Sequence, residues 1–87
     1  MNTFRLKIAS PDGNIFEGDA YQIIVKGTEG ELAVLAGHIP FITSVKAGQF
    51  RLETPDGDEK TAYSDGGILT VDAECTTFLS GSFRWEE

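Results

Sequence analysis

Q-F-R-L-E-T-P-D-G-D-E-K-T-A-Y-S, Gln49 to Ser64, is the stretch that decides the fold class. Phe50 and Leu52 alternate with Gln49, Arg51 and Glu53, the period of a strand with one face toward a core. Thr54-Pro55-Asp56-Gly57-Asp58 then breaks the run with turn-forming residues. Asp56-Gly57 suits the paired positive-φ positions of a tight hairpin. Lys60 to Ser64 returns as the second strand.

The same pattern recurs on both sides of this hairpin. Phe4, Leu6 and Ile8 share one strand face and Arg5 and Lys7 the other. Pro11-Asp12-Gly13-Asn14 is a turn, with Pro presetting φ and Gly taking a positive one. Tyr21, Ile23 and Val25 alternate next, and Ile24 extends the apolar run. Leu32 to Leu35 and Phe41 to Val45 are short apolar strands. After the turn Ser64-Asp65-Gly66-Gly67 come Ile68 to Val71 and Thr76 to Leu79. Phe83 and Trp85 alternate across Arg84 and read as the core face of a last strand, because so small a domain needs its large apolar side chains inside; the alternative is an aromatic patch left exposed for docking. No segment sustains a helical period. The expectation is an all-β chain: one small β-sandwich domain of about eight to ten strands over residues 1–87, with no repeat and no linker.

Composition narrows the function. Fourteen acids against seven bases give a net charge of −7. Nucleic-acid binding needs clustered cations, and anionic lipid is disfavoured for the same reason. A partner with a basic patch is the complement. The lone Cys75 excludes an internal disulfide and reads as a buried thiol in the strand-like run E-C-T-T-F-L-S. The N-terminus lacks the apolar segment of a signal peptide, and no window is apolar over the ~20 residues of a membrane helix. A soluble intracellular protein is expected.

Candidate chemistry is thin. The histidine count is one, so His38 would have to build a metal site mostly with carboxylates, which is unusual. Ser64, His38 and Asp65 have no nucleophile motif around them. G-T-E-G-E, Gly27 to Glu31, lacks the Lys of a phosphate-binding loop, and its acids repel phosphate. Asp56, Asp58 and Glu59 miss the spacing of a twelve-residue calcium loop. No catalytic residue, cofactor or metal is assigned. Glu29, Glu31 and His38 read instead as side chains that turns present to a partner.

The order of motifs resembles a known family. S-P-D-G-N-I-F-E-G-D-A (Ser10–Ala20), G-T-E-G-E-L-A-V-L-A-G-H-I-P-F-I-T-S-V-K-A-G (Gly27–Gly48) and S-D-G-G-I-L-T-V (Ser64–Val71) are similar to the epsilon subunit of rotary ATP synthases. The resemblance covers almost the whole chain. It implies a β-sandwich of about ten strands that binds the gamma subunit and sits on the c ring. Such a non-catalytic rotor part lies on the cytoplasmic face of the inner (plasma) membrane without inserting into it. It also implies partner-binding roles for Thr28, Glu29, Gly30 and Glu31 toward the c ring, and for His38 and Ile39 near gamma and the ring. The family continues into two C-terminal helices that restrain ATP hydrolysis, where this chain closes with F-R-W-E-E. Neither that inhibition nor nucleotide binding is therefore expected. Ala36 and Ala47 stand where the family often has Pro, and Ile39 and Phe41 vary the G-H-x-P turn. The alternative is a free-standing acidic β-sandwich that binds some other basic protein.

Overall fold

The computed structural model describes residues 2–86. Alternating sequence becomes ten strands: β1 (Phe4–Ser10), β2 (Gly13–Ala20), β3 (Gln22–Gly27), β4 (Gly30–Leu35), β5 (Phe41–Val45), β6 (Gly48–Glu53), β7 (Glu59–Ser64), β8 (Gly67–Val71), β9 (Thr76–Ser80) and β10 (Phe83–Trp85). They form two five-stranded sheets, in the orders β2-β1-β9-β8-β5 (sheet A) and β10-β7-β6-β3-β4 (sheet B). β1 and β9 pair in parallel; the other pairings are antiparallel. Among the described residues there is no helix, and none that is long and apolar enough to cross a membrane.

The sheets meet through the residues that the alternation selects. Leu6, Ile8, Leu69, Val71 and Phe78 from sheet A face Ile23, Val25, Val34, Phe50, Leu52 and Ala62 from sheet B, all of them buried. Phe50 stacks on Phe78 across the interface, with ring centroids 5.1 Å apart and planes at 20°. Phe83 meets both edge-on, at 5.3 and 6.1 Å, and Trp85 extends the aromatic row to Phe16. Each such pair adds about 0.5–1.5 kcal/mol beyond its buried area. Phe83 and Trp85 therefore lie against the core, as the alternation across Arg84 predicts.

Three local readings are corrected. Asp56 does not take a positive φ; among the hairpin-tip residues only Gly57 does (92°). Pro55 locks its own φ near −65°, so the loop is a Thr54–Gly57 turn, closed by Gly57 N–H to the Thr54 carbonyl at 3.0 Å, with Gly57, its fourth residue, in the left-handed region. Gly13 and Asn14, read as the end of a turn, instead begin β2, which runs to Ala20 along the edge of sheet A. Cys75 is half-buried in the turn before β9 rather than inside a strand. Asp72 shapes that turn by accepting from the amides of Glu74 (3.0 Å) and Cys75 (2.8 Å).

Sheet switching is tightest at Ser64–Gly67. Asp65 N–H bonds the Ser82 carbonyl at 3.1 Å, and Ser82 N–H returns to the Asp65 carboxylate at 3.0 Å. These bonds strap the β7–β8 and β9–β10 crossings together. The buried Ser80 hydroxyl lies 2.7 Å from the Gly66 carbonyl. A Cβ on Gly67 would lie 2.0 Å from the Leu79 carbonyl oxygen, so the backbone approach itself requires glycine.

Candidate docking surfaces

The residues singled out in the sequence separate into two places. Thr28 and Glu29 form the two-residue turn between β3 and β4, closed by the Gly27↔Gly30 pair. Both keep negative φ, and the left-handed demand falls on Gly30 at φ 126°. His38 and Ile39 follow the opposite end of β4. Six residues of strand, at ~3.3 Å each, hold the two turns apart, so the contiguous stretch Gly27–Phe41 is not one site.

At the first turn Glu31 is not a free acid. Arg51 Nη2, from β6, donates to Glu31 Oε2 at 3.1 Å across the outer face of sheet B. Lys26 stands opposite Glu31 in the ladder. Glu29 has no ion pair among the described residues. An exposed pair such as Glu31–Arg51 contributes only about 0.2–1 kcal/mol.

At the second turn His38 N–H bonds the Leu35 carbonyl at 3.3 Å. Gly37 has φ 84°, the value a type II turn needs at its third residue. The His38 ring is exposed, packs on Phe41 at 4.8 Å, and has Nδ1 2.9 Å from the Ile39 carbonyl. A carbonyl only accepts, so Nδ1 is the donor in this bond. Ile39 is 78% exposed.

Sequence reasoning missed the surface that extends from this turn. Ile42 (72% exposed), Ile68 (43%) and Leu79 (51%) project from β5, β8 and β9 on the outer face of sheet A. Register places them in adjacent rows: Ser44↔Ile68 and Ile42↔Thr70, Ile68↔Leu79, then Leu79↔Ala9. The signal was readable. Ile68-Leu69 and Phe78-Leu79 are consecutive apolar residues in period-two strands, so one of each pair must face outward. No group of three metal-ligating side chains converges among the described residues.

A family model described as ATP synthase, Delta/Epsilon chain, beta-sandwich domain matches residues 3–86. The ATP synthase epsilon chain of Psychrobacter sp. (strain PRwf-1) is 40% identical over 80 residues, 92% of this chain and 58% of that relative. The sodium ion specific ATP synthase epsilon chain of Acetobacterium woodii is 40% identical over 85 residues, 98% of this chain and 64% of its own length. The chain thus spans 58–64% of the length of these curated relatives. Among solved structures, a chain of the Euglena gracilis mitochondrial ATP synthase (OSCP/F1/c-ring) superposes with a TM-score of 0.90 at 21% identity, covering 95% of this chain and 53% of that one. A chain of the Tetrahymena thermophila mitochondrial ATP synthase central stalk and c-ring gives 0.78 at 13% identity, covering 94% and 66%. At these identities the solved structures establish likeness of fold. With a family match across nearly every residue, this chain belongs to the ATP synthase delta/epsilon β-sandwich family.

Proposed function

We propose that residues 1–87 act as one folded unit of a non-catalytic central-stalk subunit, peripheral at the cytoplasmic face of the membrane, linking gamma to the c ring. The observation that carries this reading is the separation of two surfaces. One is the exposed apolar face Ile42–Ile68–Leu79, continued toward Ile39 and His38. The other is the charged turn Thr28–Glu31 with Arg51 behind it. A coupling subunit has to hold two partners at once, and two separated faces allow that. The apolar face suits a partner that supplies most of the affinity by burial. The charged turn suits polar loops, where charge sets orientation and association rate. On this reading Thr28, Glu29, Gly30 and Glu31 meet the c ring, and His38 and Ile39 border the contact with gamma.

Replacing Glu29→Lys and Glu31→Lys together tests it. The Glu31–Arg51 pair is weak, about 0.2–1 kcal/mol, so the isolated fold should melt almost unchanged. Assembly with the c ring, the partner assigned to this turn, should weaken, most at low salt, and contact with gamma should persist. Unchanged assembly at low salt would reject the assignment of this turn. Capture by an unrelated basic protein in place of gamma would favour the free-standing binding module.

A further inference from the structure

Sheet B is not zipped along its whole length. β3 pairs with β6 only from Gln22↔Glu53 to Ile24↔Arg51. Yet β3–β4 pairing runs on to Gly27↔Gly30, and β6–β7 pairing runs on to Gly48↔Ser64. Beyond Ile24 and Arg51 the two central strands part. The amide of Lys46, in the β5–β6 connection, takes up the Lys26 carbonyl at 2.8 Å. The parting leaves a cleft on the outer face, walled by Lys26, Lys46 and Arg51, with Ile24, Gly48 and Gln49 between them. A Cβ on Gly48 would lie 3.1 Å from Lys26 Cδ, so glycine there leaves room for the lysine stem.

Charge makes this cleft unlike the rest of the molecule. Three of the seven Lys and Arg residues line it beside a single acid, Glu31. Thirteen acids and four bases occupy the remainder of the chain. Arg51 gives one arm to Glu31, and its planar fork has further N–H donors to offer. We propose that the cleft between β3 and β6 binds an anion of the phosphate class, with Lys26 and Lys46 as point charges and Arg51 as the directional donor. Charge-assisted bonds of this kind are the strong ones, and acids elsewhere on the surface leave the cleft as the place where an anion is attracted. The Gly-rich turn Gly27–Glu31 is not itself the cradle; the strands beside it supply the cations it lacks. This inference does not rest on the central-stalk reading.

A soluble phosphate and the headgroup of an anionic phospholipid offer the same chemistry, so the test has two arms. In the first, the isotope-labelled chain is titrated with inorganic pyrophosphate at low salt and amide shifts are followed by NMR. Shifts should be confined to residues 24–31 and 46–51 and should fade as salt is raised. In the second, the chain is sedimented with phosphatidylglycerol vesicles and with phosphatidylcholine vesicles. Sedimentation with the anionic vesicles alone identifies the headgroup as the source, and pyrophosphate shifts without sedimentation identify a soluble phosphate. The Lys26→Gln, Lys46→Gln variant, with both side chains exposed, should keep its spectral dispersion and bind about tenfold more weakly or worse. Arg51→Lys keeps the charge and should lose affinity through the missing fork. Absence of binding in both arms overturns the proposal, as do shifts of equal size around Lys7 and Lys60 or full binding by the double variant.

Discussion

Ala36 shows what a single turn position is worth. It precedes Gly37 in the turn closed by His38 N–H on the Leu35 carbonyl, where proline's fixed φ fits a type II geometry. Leu35 before it is extended strand, as the residue ahead of a proline must be. Ala36→Pro should therefore stabilise the fold by about 0.4–1 kcal/mol, acting through the unfolded chain. A thermal melt checks this, and a lower Tm would mean that the turn is not of that type. Gly67→Ala should act the other way. Its Cβ would meet the Leu79 carbonyl at 2.0 Å, and strain of that kind costs about 1–3 kcal/mol or more. The double glycine was legible as a turn. The steric reason was not, because it is imposed by β9, which lies twelve residues away from Gly67 at Leu79.

At the scale of the element, the Thr54–Asp58 loop joins two strands and carries a pH-sensitive bond. The Thr54 hydroxyl donates to the Asp56 carboxylate, and this bond is the first cause that holds the Asp56 carboxyl below its ordinary value of 3.8. A lowered folded-state value means that ionised Asp56 favours the fold at pH above the ordinary value. That contribution is lost as pH falls through the lowered one. Asp72 behaves alike, with the Cys75 amide as the leading cause and the Glu74 amide next. Thr54→Val should move the Asp56 titration back upward and leave Asp72 unmoved, as read from side-chain carboxyl shifts by NMR; a stationary Asp56 would show that the hydroxyl is not the cause. Strand positions were legible because one face of each is buried, as with Phe50 and Leu52. β2 was harder to see, since Ile15 and Phe16 are neighbours without strict alternation and the strand lies at a sheet edge. Pairing order could not be read at all. The parallel β1–β9 contact joins Leu6 to Thr76, and no local pattern encodes a partner seventy residues away. The candidate site failed to hold together for a related reason. Thr28–Glu31 and His38–Ile39 are neighbours in sequence, but β4 is extended and carries them to opposite ends.

Across the whole molecule the decisive question is whether the two surfaces act separately. Ile42 and Leu79 are more than half exposed, so Ile42→Arg with Leu79→Arg removes little folded-state packing. Surface changes of this sort usually stay within about 0.5 kcal/mol each, and the Tm of the isolated chain should barely move. On the proposed central-stalk reading, in which this face meets gamma, that contact should suffer far more, because a buried guanidinium without a partner is costly at an interface. Contact with the c ring, assigned to the far turn, should persist in this variant, and the Glu29→Lys, Glu31→Lys variant should show the reverse. The outer face of sheet A and the β3–β4 turn belong to different sheets, and the effects of the two double variants on assembly should add within about 0.3–0.5 kcal/mol if the sites are independent. Pull-down of gamma and of the c ring, scored separately for the two double variants and their combination, measures this. If the apolar-face variant loses both partners at once while its melt is unchanged, the surfaces are not independent, and the chain holds gamma and the ring through one shared contact.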